Sequence, residues 1–158
     1  MISIYNPIRW EYRITQIFWA NPQVYKQFWL AWHNWIDLAF PISWTKWPLY
    51  SPVKWKVVVR AEDPRWFGKY IKIETDENEL WEVYEITMAH LDSFNIKVWD
   101  RVWPNKKIWI MWTTWFSTGV HLHLWVRVKK NWIVQNYYNW YKWAVDFEMK
   151  GYTPRIYK

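Results

Sequence analysis

The sequence contains no cysteine, which excludes disulfide bridges and thiolate metal sites outright. Glycine is almost missing: there are 3, where a domain of this length usually carries about 11 at ~7%. Histidine numbers only 4, so any imidazole site must be drawn from His33, His90, His121 and His123. The longest run free of Asp, Glu, Lys and Arg, 108–126, carries Thr113, Thr114, Ser117, His121 and His123. That polar load argues against a helix in lipid, and no transmembrane segment is expected. Met1 to Pro7 show no basic stretch followed by an apolar one, so no secretory leader is read there. The expectation is a domain cut from a longer exported protein, or one that leaves the cell by another route such as lysis.

What is present describes one globular domain. The chain has 158 residues, 52% of them hydrophobic, with a mean hydropathy of -0.39 and charges distributed throughout. A net charge of +7 favours anionic partners, whether nucleic acid, membrane surface or cell wall, without choosing among them. Tryptophan is the oddity, at 19 residues.

Period-two alternation dominates the pattern. Val53, Trp55, Val57 and Val59 alternate with Lys54, Lys56 and Arg60, as in a half-buried strand. Ile71 and Ile73 alternate with Tyr70, Lys72 and Glu74. Over Glu82 to Leu91, alternation places Tyr84, Ile86, Met88 and His90 on one face, and Asp76 to Glu79 is the turn before it. Lys106 to Trp112 and His121 to Val128 complete the series. Residues 1–20 are an extended entry segment, the tail beyond Lys129 is irregular, and Pro22 to Leu30 is the one candidate short helix, with Asn21 as cap. The fold class predicted is all-β, mainly antiparallel, with one short helix at most. The division expected is an entry segment over 1–13, a core over 14–128 and a C-terminal extension over 129–158.

His121 and His123 form a His-x-His pair, so on a strand both leave the same face, with Leu122, Leu124, Val126 and Val128 toward the core. His33 and Asp37 stand four apart. Two imidazoles, a carboxylate and an open position for water make a common catalytic zinc set. Taken singly, each has an ordinary explanation: a chance strand pair, a turn-capping aspartate, or a satisfied core histidine at His90.

From Ile14 to about Val128 the chain resembles the lysostaphin-type (LytM-like) zinc metallopeptidases. The likeness runs through Phe28-Trp29-Leu30-Ala31-Trp32-His33-Asn34-Trp35-Ile36-Asp37, then Leu49 to Val53, and Met88-Ala89-His90-Leu91. It continues through Val98 to Val102 and Ile108 to Trp112, and closes at Ser117-Thr118-Gly119-Val120-His121-Leu122-His123. All four histidines fall on the family's functional positions. The resemblance implies one Zn2+ held by His33, Asp37 and His123, with His121 and His90 as catalytic histidines that do not bind the metal. It implies a zinc metalloendopeptidase acting on peptide cross-links of bacterial peptidoglycan, outside the cell, in the periplasm or at the wall. A monomer with no nucleic-acid partner is expected. Val120, Leu124-Trp125 and the length of Ser43 to Trp47 depart from the family pattern, and touch loop shape and specificity.

The same resemblance sets tryptophan against family glycine at Trp19, Trp29, Trp32, Trp35, Trp55, Trp99, Trp109, Trp112, Trp115 and Trp125. Tryptophan cannot replace glycine where φ is positive or backbone must approach closely. The pattern predicts a gene whose UGA codons mean glycine, translated by a table that reads them as tryptophan. Trp10, Trp66 and Trp81 fall to neither origin. Trp35 and Trp125 are expected to crowd the site. Two rival readings are an inactive wall-binding or regulatory relative, and a basic, aromatic-rich nucleic-acid binder using Lys54 to Lys56 and the tail from Lys129 to Lys142. The first usually lacks a ligand, and the second lacks any accompanying RNP-like or Gly-loop motif.

Overall fold

The computed structural model describes residues 2–16, 23, 26, 35–40, 46–111, 120–134 and 147–150. Among these residues, twelve strands run in chain order: β1 (Ile2–Tyr5), β2 (Arg13–Gln16), β3 (Ile36–Ala39), β4 (Trp47–Tyr50), β5 (Trp55–Asp63) and β6 (Gly68–Glu74), then β7 (Glu82–Phe94), β8 (Arg101–Val102), β9 (Lys107–Met111), β10 (His121–Lys130), β11 (Ile133–Val134) and β12 (Phe147–Lys150). The fold is all-β. The helix expected over 22–30 lies outside the described residues except at Gln23 and Lys26. No helix among the described residues is long and apolar enough to cross a membrane.

The main sheet has the order β2-β3-β10-β7-β6-β5-β8, with β11 on β10 and β9 bridging β7 to β4. Its pairings are all antiparallel. The remaining pair is parallel and joins the two ends of the chain, β1 on β12 from Ile2↔Phe147 to Tyr5↔Lys150. The tail is therefore not irregular throughout. Tyr5 N–H donates to the Pro52 carbonyl (2.7 Å) and Tyr50 N–H to that of Pro7 (2.9 Å), which fastens the first residues to the strand-rich body.

Alternation explains the core. Leu122, Leu124, Val126 and Val128 of β10 are buried together with Ile71 and Ile73 of β6 and Ile86 and Met88 of β7. Each such side chain contributes about 1.5–3 kcal/mol relative to remaining exposed. Ile4, Ile8, Leu38, Leu49 and Ile108 are fully buried in the same cluster. The other face of β10 carries His121, His123, Trp125, Arg127 and Lys129, because side chains two apart leave a strand in one direction.

Candidate active site

β10 lies between β3 and β7, and its register fixes the site. His123 pairs with Asp37 on one side and with Ala89 on the other. Both Asp37 and His123 are buried, at 7% and 5% exposure. The His123 Nδ1 stands 3.2 Å from the Asp37 Oδ1. Two donors on a tetrahedral zinc, each about 2.1 Å from the ion, are about 3.4 Å apart. A neutral imidazole nitrogen and a carboxylate oxygen at this separation fit two corners of such a site by both chemistry and spacing.

His90 joins them by breaking the alternation. Strict period two would place it with Ile86 and Met88 in the core. Instead its φ is 61°, its N–H donates to the Phe67 carbonyl (2.9 Å), and its ring lies against the opposite face. The ring centroids are 4.7 Å from His121 and 5.4 Å from His123. A positive φ in a histidine is uncommon, and where it occurs it often marks a constrained functional position. Burial is the main cause that lowers the His90 pKa to about 3, with His123 and His121 adding to it and Asp37 opposing. The imidazole is thus neutral through the neutral range, with one nitrogen able to donate and the other to accept.

The structure therefore brings together four of the five residues singled out from sequence: Asp37, His90, His121 and His123. The fifth, His33, lies outside the described residues. Among the described residues, no three His, Cys, Asp or Glu side chains form a group that could hold a metal on their own.

Aromatic rings crowd the same place. Trp35 lies 4.1 Å from the His123 ring, and Phe67 meets it edge-on at 5.9 Å. Trp125 is buried beside both, 6.4 Å from Trp35 and 6.3 Å from Phe67. Its indole N–H has no hydrogen-bond partner among the described residues, a costly state for a buried donor. Phe67 carried no sequence signal, since it sits in the turn between β5 and β6.

Beyond Trp125 the same face carries a buried ionic cluster. Glu85 is the register partner of both Arg127 and Glu74. It accepts from Lys72 Nζ at 3.1 Å, Arg127 Nε at 2.9 Å and Lys129 Nζ at 2.7 Å. Lys129 also binds Glu74. Burial pushes the Glu85 carboxyl up, but Lys129, Arg127 and Lys72 outweigh it and hold the pKa at about 2. Burial dominates at Lys72 and lowers its pKa, against the pull of Glu85.

One strand order, a His-x-His on the central strand, an aspartate beside it and a third histidine turned in from β7 decide the family resemblance. The chain has the fold of the lysostaphin-type (LytM-like) domains. No family model matches it. It is 35% identical over 97 residues to the peptidoglycan DD-endopeptidase ShyB of Vibrio cholerae serotype O1, covering 61% of this chain and 21% of that one. The chain thus spans about a fifth of that relative. It is also similar to the crystal structure of a zinc-containing peptidase from Vibrio cholerae, with 30% identity, a TM-score of 0.57, and coverage of 84% of this chain and 39% of the other. The antimicrobial peptidase lysostaphin from Staphylococcus simulans shares the fold at 23% identity and a TM-score of 0.59, over 79% of this chain and 47% of that one.

Proposed function

We propose that this lysostaphin-type domain is a zinc metalloendopeptidase that hydrolyses peptide cross-links of bacterial peptidoglycan, at the wall or in the periplasm. The observation that carries the reading is the 3.2 Å approach of His123 Nδ1 to Asp37 Oδ1 on the face that also presents His90 and His121. His33 would be the third donor. Zinc held there supplies Lewis-acid polarisation of the scissile carbonyl and an acidified water. The protein's own residues supply the rest. His121 takes the proton of the attacking water as general base, and later returns it to the leaving amine. His90, neutral and held by its bond to Phe67, donates a hydrogen bond to the water or to the developing oxyanion. The +7 charge favours retention on an anionic wall.

The test measures zinc content and the release of new amino termini from purified peptidoglycan, for the chain as written and for a form with glycine at the ten family positions. His123→Ala serves as control. The expected result is about one zinc per chain and zinc-dependent cleavage that the control lacks. Folded, zinc-loaded protein that cuts no wall type would leave the inactive wall-binding reading in its place. Folded protein without zinc would remove the peptidase reading and leave the two rivals.

A further inference from the structure

Seven non-glycine residues among those described have positive φ, and four of them are tryptophans: Trp55 at 151°, Trp81 at 61°, Trp99 at 76° and Trp132 at 66°. Asn105 and Asn131 are two of the others, and asparagine is a residue type that tolerates this region. His90 belongs to the site. A bulky side chain there is a genuine outlier, because Cβ meets the neighbouring backbone.

Trp81, Trp99 and Trp132 also occupy the slot in their turns that calls for glycine. Asp100 N–H donates to the Lys97 carbonyl (3.1 Å), closing a turn whose third residue is Trp99 at φ 76°. A type II turn requires positive φ at that residue, hence glycine. The neighbouring turn makes the contrast. Lys106 N–H donates to the Trp103 carbonyl (3.0 Å), Pro104 is second, and the third residue is Asn105 at φ 77°, a residue type suited to that place.

Between β10 and β11, Lys130 pairs with Ile133, so the loop is the two residues Asn131 and Trp132, both with positive φ. Such a hairpin has a strong preference for Asn-Gly. Before β7, Trp81 N–H donates to the Asn78 carbonyl (3.0 Å) and Asn78 N–H to that of Glu82 (2.9 Å). This is a three-residue loop ending in a left-handed residue, where glycine is usual. Trp55 opens β5 at φ 151°, on the positive side that glycine adopts most readily.

Packing gives little in return. Trp81, Trp99 and Trp132 are 66%, 66% and 81% exposed. Lys56 lies 4.7 Å over Trp99 and Arg101 5.3 Å over Trp55, but cation–π contacts at exposed sites are weak.

We propose that the native protein carries glycine at positions 55, 81, 99 and 132, encoded by a UGA codon that its own cell reads as glycine. The backbone thus reaches a conclusion that the family resemblance reached only for Trp55 and Trp99, and adds Trp81 and Trp132. It depends on turn geometry and not on any activity.

Two measurements test it. Peptides of the protein isolated from its source cell, sequenced by mass spectrometry beside the gene, should show glycine at the four positions over UGA codons. Tryptophan in those peptides, or UGG in the gene, overturns the proposal. In the chain as written, Trp99→Gly and Trp132→Gly should each raise Tm by about 2–8 °C, the release of left-handed strain in a chain of this size. Trp66→Gly, at an exposed tryptophan whose φ is not positive, should give no rise. A fall at both turn positions would overturn the backbone reasoning.

Discussion

Replacing Glu85 by glutamine keeps the shape of the side chain and removes its charge. Its side chain is 3% exposed, so Lys72, Arg127 and Lys129 would be left around a neutral amide. The carboxyl falls from 4.5 to about 2 on folding, and about 2.5 units at ~1.36 kcal/mol each give about 3 kcal/mol of stabilisation at neutral pH. The burial cost borne by Lys72 makes this an upper figure. For a chain of this size Glu85→Gln should then lower Tm by about 6–12 °C at pH 7. Because the folded-state pKa lies below the unfolded one, the contribution is complete above about pH 4.5 and is lost as pH falls toward about 2. Urea titrations of parent and variant at pH 7, 5, 4 and 3 read the difference directly. The two midpoints should converge on the acid side. Equal stability at pH 7, or a gap that stays constant down to pH 3, would refute the charge argument and leave shape as the cause.

Thr87 is fully buried, and its hydroxyl has no hydrogen-bond partner among the described residues. Thr87→Val should leave the urea midpoint unchanged or raise stability by up to about 1 kcal/mol; a clear loss would show that the hydroxyl is held. His121→Ala should keep its zinc but lose about 10²–10⁴ in the rate of cross-link cleavage. Loss of the metal along with the rate would place His121 among the ligands instead.

The strands were legible because they are half-buried. Lys72 and Glu74 alternating with Ile71 and Ile73 announced β6, and Leu122, Leu124, Val126 and Val128 announced the core face of β10. The His-x-His pair was readable for the same reason. His90 was placed on the wrong face by alternation, since a single positive φ reverses the direction of a side chain and leaves no mark in the pattern. The pairing of β1 with β12 was equally hidden: two four-residue strands that meet in parallel across the chain carry no local signal. Glu85, Arg127 and Lys129 lie on the face opposite the core residues, and alternation does not tell a solvated face from one in which charges are buried against each other. The turn at Asn78–Glu82 sits slightly later than the polar run suggested, because the Asn78 side chain accepts from Leu80 and Glu82 N–H groups and sets the corner itself.

The central strand interleaves two tasks, with His121 and His123 pointing one way and Leu122 and Leu124 the other. A slip of one residue against β3 or β7 would exchange them, sending leucines to the face of the site and imidazoles into the interior. Correct registration and a competent site are therefore one event. A bound metal would act as a lock on that alignment, so metal uptake during refolding can serve as a clock for the moment β10 finds its place.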